Sequence, residues 1–94
     1  MGEGKGSRKY TVYLKLERRV ENRRRLKDRE FYKLEDDLYD FYKTIELQYK
    51  CSKHTGFQVY TLRHYRNKTF NLLIRVFGSR KAYKIKQNLN LDLN

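Results

Sequence analysis

Between Asp28 and Lys50 the apolar residues Phe31, Leu34, Leu38, Phe41 and Ile45 recur at three- and four-residue steps. That spacing returns side chains to one face of a helix and predicts an amphipathic helix over about residues 29–49. Tyr32, Tyr39, Tyr42 and Tyr49 widen the apolar stripe, and Glu35, Asp36, Asp37, Asp40 and Glu46 fall mostly away from it. Asp28 is placed to cap its start. A chain of 94 residues makes at most one domain with a small core, so the rest of the sequence must cover this stripe.

The flanking segments show a different period. Tyr10, Val12, Leu14 and Leu16 alternate with Thr11, Tyr13, Lys15 and Glu17, the pattern of a half-buried strand over residues 10–20. FQVYTLRHY, at 57–65, alternates again and predicts a second strand, followed by a turn at Arg66-Asn67-Lys68. TFNLLIRVF, at 69–77, is a continuous apolar run that fits either a buried strand or a short helix. Gly78-Ser79 breaks it. RKAYKIK, at 80–86, is basic and alternating, and residues 88–94 suit an edge strand or a docked tail. The expected fold is α+β: a small antiparallel sheet with one long amphipathic helix on one face. Residues 1–65 form its core, with 66–94 as a C-terminal extension.

Charge narrows the partner. Lys and Arg number 23 against 11 Asp and Glu, a net of +12. So much positive charge on a small body repels itself and favours a polyanionic partner. The charge is also partitioned. Residues 28–50 hold seven acids and four bases, a net of −3, and the rest of the chain carries +15. The helix is therefore expected to turn away from the polyanion, with loops and strands facing it. Nine Tyr and five Phe supply core packing and rings that can stack on bases. No apolar run approaches the ~18 residues of a membrane span, and none follows the start as in a signal peptide.

Three groups of residues bear on chemistry. The opening MGEGKGSRK can bring backbone N–H groups close to phosphate, with Lys5, Arg8 and Lys9 neutralising it. It is not a nucleotide-binding P-loop, because the Gly-Lys-Ser/Thr ending is absent. The connector RRVENRRRLK, at 18–27, gathers Arg18, Arg19, Arg23, Arg24 and Arg25, whose guanidinium forks match phosphate oxygens. A second basic set is Arg80, Lys81, Lys84 and Lys86. Other combinations are weaker. Cys51 and His54, with His64 further on, fall short of the four ligands of structural zinc, and a single cysteine forms no internal disulfide. Asp36, Asp37 and Asp40 read as solvent-facing helix charge. No cofactor, metal or catalytic site is indicated.

MGEGKGSRKYTVYL also resembles the middle of the large-subunit ribosomal protein sixteen family of bacteria and organelles. The likeness is carried by Met1, Gly2, Gly4, Lys5, Gly6, Tyr10 and Val12, in register and without gaps. The order strand, connector, helix, basic loop, strand is similar across residues 1–65. Glu3 stands where the family has a basic residue, and CSKHTG replaces its Lys-Leu-Pro. The family's Pro-Gly turn after the strand is absent, and residues 66–94 have no counterpart there. The family's N-terminal half is also absent, as in a split gene whose other half is a separate chain, or in a reduced family member. The resemblance implies a structural constituent of the large ribosomal subunit. It would bind large-subunit rRNA and help shape the aminoacyl-tRNA site, with tRNA and other ribosomal proteins nearby. It further implies a mitochondrial matrix location and an organelle-encoded gene. By position Gly2, Gly4, Lys5 and Gly6 inherit the family's RNA-facing loop, and Arg8 and Lys9 suit the same task chemically.

The expected function is thus non-catalytic RNA binding, by phosphate neutralisation, close backbone approach at glycines and stacking of Tyr or Arg on unpaired bases. The alternative is a free-standing basic DNA- or RNA-binding regulator of phage or viral type. An enzyme such as a nuclease fragment is disfavoured, because no carboxylate cluster lies beside the basic segments.

Overall fold

The computed structural model describes residues 5–51 and 56–93, with side chains over 10–50 and 60–91. Every long element among them is a helix. These are α1 (Lys5–Glu21), α2 (Asp28–Cys51), α3 (Gly56–Phe77) and α4 (Ser79–Leu93), with a single 3-10 turn at Arg23–Arg25. The α+β expectation is therefore overturned, and no strand is present among the described residues.

The long helix expected over 29–49 is α2. Leu34, Leu38, Tyr42 and Ile45 on its stripe are fully buried, and Phe31 and Phe41 are half-buried. Its start is fixed by Glu30, whose Oε1 accepts the backbone N–H of Lys27 at 3.0 Å, so Glu30 satisfies the entry N–H that the helix leaves open.

The strand expected over 10–20 lies in α1. Its assigned inward residues Tyr10, Val12 and Leu14 are exposed, whereas Tyr13, assigned to the outer face, is buried with Leu16 and Val20. Tyr13, Leu16 and Val20 follow three- and four-residue steps, so one short apolar-rich segment satisfies both periods. A strand also needs a partner to satisfy its backbone, whereas a helix satisfies its own.

The same correction applies to 57–65, 80–86 and 88–94. The first joins 69–77 in α3, where Arg66-Asn67-Lys68 is a helical turn rather than a break. Residues 80–86 and 88–93 lie in α4, and Asn94 lies outside the described residues. On α3 the buried residues Leu62, Thr69, Leu72 and Leu73 share one face, and on α4 Ala82 and Leu89 are seven apart. Tyr13, Leu34, Leu73 and Leu89 belong to one core cluster, so all four helices build it and it draws on both sides of residue 65.

Helices α2 and α3 form the central pair. Tyr49 meets Arg63, Glu46 meets Arg66, and Tyr42 meets Phe70, so one index falls as the other rises and the pair is antiparallel. Helix α1 packs on both, and α4 does the same. The whole spans 41 × 37 × 16 Å, a slab about two helices thick.

Two junctions position the basic segments. At the end of α1 the Arg23 Nη1 donates to the Val20 carbonyl at 2.7 Å, and Asn22 donates to the Arg18 carbonyl from its backbone N–H and its Nδ2, each at 3.1 Å. These contacts satisfy carbonyls that the helix end would leave open. Between α3 and α4 the chain turns at Gly78 alone, with φ +90° and its N–H on the Ile74 carbonyl at 2.9 Å. That left-handed φ is why a glycine stands there.

Candidate nucleic-acid interface

The charge partition has a structural counterpart. The acidic residues concentrate on α2, and several are already engaged. Asp37 Oδ2 receives Arg19 Nη1 at 2.9 Å and Lys33 Nζ at 3.7 Å. Glu30 closes the start of the helix. Glu46 is fully buried, contrary to its expected place away from the stripe. Its Oε2 accepts Arg66 Nε at 3.0 Å and the Tyr42 hydroxyl at 2.5 Å. Burial, then the Glu46 hydrogen bond, pushes the Tyr42 phenol well above its ordinary value. Burial works against the Arg66 guanidinium, but the Glu46 carboxylate together with Tyr42 more than offsets it, so Arg66 stays charged.

The sequence-derived site residues divide into three groups. Gly2 and Gly4 lie outside the described residues. Lys5, Gly6, Arg8 and Lys9 belong to the first turns of α1, so from Lys5 onward the expected glycine loop is helix.

The connector residues have different tasks. Arg19 is held by Asp37, and Arg23 closes the end of α1. Arg18, Arg24 and Arg25 are exposed and make no ion pair among the described residues, so they are the members able to meet a polyanion.

On α4, Arg80, Lys81 and Lys84 are exposed. The Lys81 ammonium sits 5.2 Å from the Phe77 ring centroid, and that of half-buried Lys86 sits 5.0 Å from Phe70. Such contacts orient an ammonium without neutralising it.

Helix α3 contributes a cationic surface that the sequence reading did not single out. It carries Arg63, Arg66, Lys68 and Arg75 and no acidic residue. That run without Asp or Glu over 56–77 was the available signal. Arg63, Lys68 and Arg75 are exposed, as is His64. The Arg63 Nη2 donates to the Tyr49 hydroxyl at 3.4 Å and lowers the Tyr49 phenol. Beside these cations lie exposed rings, Tyr60 on α3 and Tyr10 on α1.

No protein-family model, curated protein or solved structure matches this chain. The chemistry of the surface therefore carries the functional argument.

Other features are poorer in chemistry. A groove of about 400 Å3 between α1 and α2 is lined by charges of both signs, Lys15 and Arg19 against Asp37 and Asp40. Among the described residues no group of three or more His, Cys, Asp or Glu is placed to hold a metal. His54 lies outside the described residues, as does the side chain of Cys51. No described helix is long and apolar enough to cross a membrane.

Proposed function

We propose that this protein is a non-catalytic nucleic-acid-binding protein whose ligand is RNA. One observation carries the reading. Acids gather on α2, whereas residues 22–27, α3 and α4 together hold twelve bases and one acid. A surface so polarised binds phosphate by releasing counterions, and its affinity falls steeply with salt. Exposed tyrosines beside the cations favour RNA with unpaired bases over a uniform duplex.

Two narrower readings follow. The resemblance of Met1–Val12 names large-subunit rRNA, near the aminoacyl-tRNA site of a mitochondrial ribosome. It retains the matched residues, but from Lys5 onward the loop and strand expected around them are helix α1. The second is a free-standing basic regulator. A core drawn from all four helices, with no sheet edge among the described residues for another chain to complete, favours this one.

Fluorescence anisotropy against labelled RNA at increasing salt tests the common proposal. A logarithmic affinity that falls linearly with the logarithm of salt supports it, and salt-independent binding removes it. Sedimentation of the tagged chain from its native cells separates the narrower readings. Co-migration with the large ribosomal subunit selects the first, and a slow free fraction selects the second.

A further inference from the structure

Five rings form a continuous string across α1 and α3. Tyr60 and His64 lie four apart on α3, with planes 4° from parallel and centroids 6.5 Å apart. His64 meets Tyr65 edge-on at 5.8 Å. Tyr65 continues to Tyr10 at 6.5 Å and to Tyr13 at 5.9 Å, both tilted by 58°. The inner members are anchored: Tyr13 is buried, Tyr65 is half-buried, and the Lys68 ammonium sits 5.7 Å from the Tyr13 ring centroid. The outer members are open, with Tyr60 71% and Tyr10 51% exposed.

Rings on a monomer surface lose hydrophobic free energy to water, and these are packed against one another rather than scattered. The helix beneath them carries four bases and no acid. The α1 side brings one carboxylate near, Glu17, which is engaged by the Tyr13 hydroxyl at 3.3 Å, whereas the α3 side has none. An aromatic platform flanked by cations in this way is complementary to a base-plus-phosphate chain. A duplex does not offer its base faces to such a platform, because they are already stacked.

We propose that the Tyr60–His64–Tyr65–Tyr10 string is a stacking platform for the unpaired bases of single-stranded RNA, with Arg63 and Lys68 beside it for the phosphates. This rests on the RNA-binding reading above and specifies its ligand. Tyr60 and Tyr10, the exposed ends of the string, take the unpaired bases. His64 and Tyr65 hold those rings in place through ring–ring contact.

The test uses the full chain and two fluorescein-labelled probes, an oligo-uridine strand and a perfectly paired RNA hairpin with a minimal loop. Tyr60→Leu combined with His64→Leu removes rings but no Lys or Arg. The expected result is a five- to hundred-fold loss of affinity for oligo-uridine, with little change for the hairpin and an unchanged salt dependence. Tyr60→Phe should keep wild-type affinity, since it keeps the ring. Circular dichroism should show full helicity for each variant, because Tyr60 and His64 are exposed. Unchanged oligo-uridine affinity in the double variant, while Arg24→Gln with Arg25→Gln weakens both probes, overturns the platform and leaves RNA binding standing. Failure of the wild-type chain to bind either probe overturns both.

Discussion

The Nε of Arg66 on α3 lies 3.0 Å from Oε2 of Glu46 on α2, and Glu46 has no exposed surface. The Tyr42 hydroxyl donates to the same oxygen, and the Arg66 guanidinium also lies over the Tyr49 ring at 5.0 Å. An ion pair between the two central helices thus sits at the edge of an otherwise apolar seam. Removing one partner strands the other charge in a poorly solvated site. Arg66→Ala should therefore destabilise the fold by about 3 kcal/mol. Replacing both together with the hydroxyl bonded to them, Glu46→Leu, Arg66→Met and Tyr42→Phe, should recover most of that loss, since no buried polar group is then stranded. Urea denaturation followed by circular dichroism measures both.

Alkaline pH should loosen the fold through its buried phenols. Burial, and then Glu17, whose carboxylate accepts the Tyr13 hydroxyl at 3.3 Å, pushes the Tyr13 phenol up to about 12. A phenol raised above its unfolded value contributes stability that is complete below pH about 10 and disappears as pH rises toward 12. Tyr42, shifted in the same direction, adds to the loss. Denaturation midpoints should fall across that window, and Tyr13→Phe should flatten the fall.

Gly78 separates the effect of φ from that of packing. A Cβ built there meets nothing within 4 Å, yet φ is +90°. Gly78→Ala should cost about 1–2 kcal/mol from backbone strain alone. Gly78→Asn should cost less, since asparagine tolerates positive φ better. Equal losses for both would place the cost elsewhere.

The basic residues should not be equivalent in RNA binding. Arg19 is committed to Asp37, whereas Arg24 and Arg25 are exposed and have no ion-pair partner among the described residues. Arg24→Gln should weaken binding and lower the salt slope by about 0.7 for a single-stranded ligand. Arg19→Gln should change both by much less. Anisotropy titrations at several salt concentrations distinguish them.

Core truncation should confirm which stripe of α2 carries the fold. Leu38 is fully buried within the shared cluster. Leu38→Ala should cost about 2–5 kcal/mol. Tyr32→Ala, on the same helix but 65% exposed, should change stability by less than about 0.5 kcal/mol. Thermal or urea unfolding reads both.

The candidate interface was partly legible. The exposed members Arg18, Arg24, Arg25, Arg80, Lys81 and Lys84 stand out in the chain as basic clusters. Arg19 and Arg23 look identical to their neighbours in sequence, and only Asp37 and the Val20 carbonyl give them other tasks. Tyr60 and Tyr10 are fifty residues apart in the chain. Nothing local tells such a pair that Tyr65 will bridge them.

By itself the sequence determined α2, because 24 residues give room for the helical period to repeat until no other period fits. It also determined the excess of positive charge and the net negative charge of α2, which depend only on which residues fall in which segment. Tertiary structure decided the rest. In 10–20, 57–65 and 80–86 the apolar residues are too few to separate a period of two from one of 3.6, and α1, α3 and α4 are settled by the faces they bury against α2 and against one another. Glu46 shows the same dependence in a single residue. It sits one position beyond Ile45 on the helix, and what makes its burial tolerable is Arg66, twenty residues on and brought within 3.0 Å by the antiparallel packing of α2 on α3.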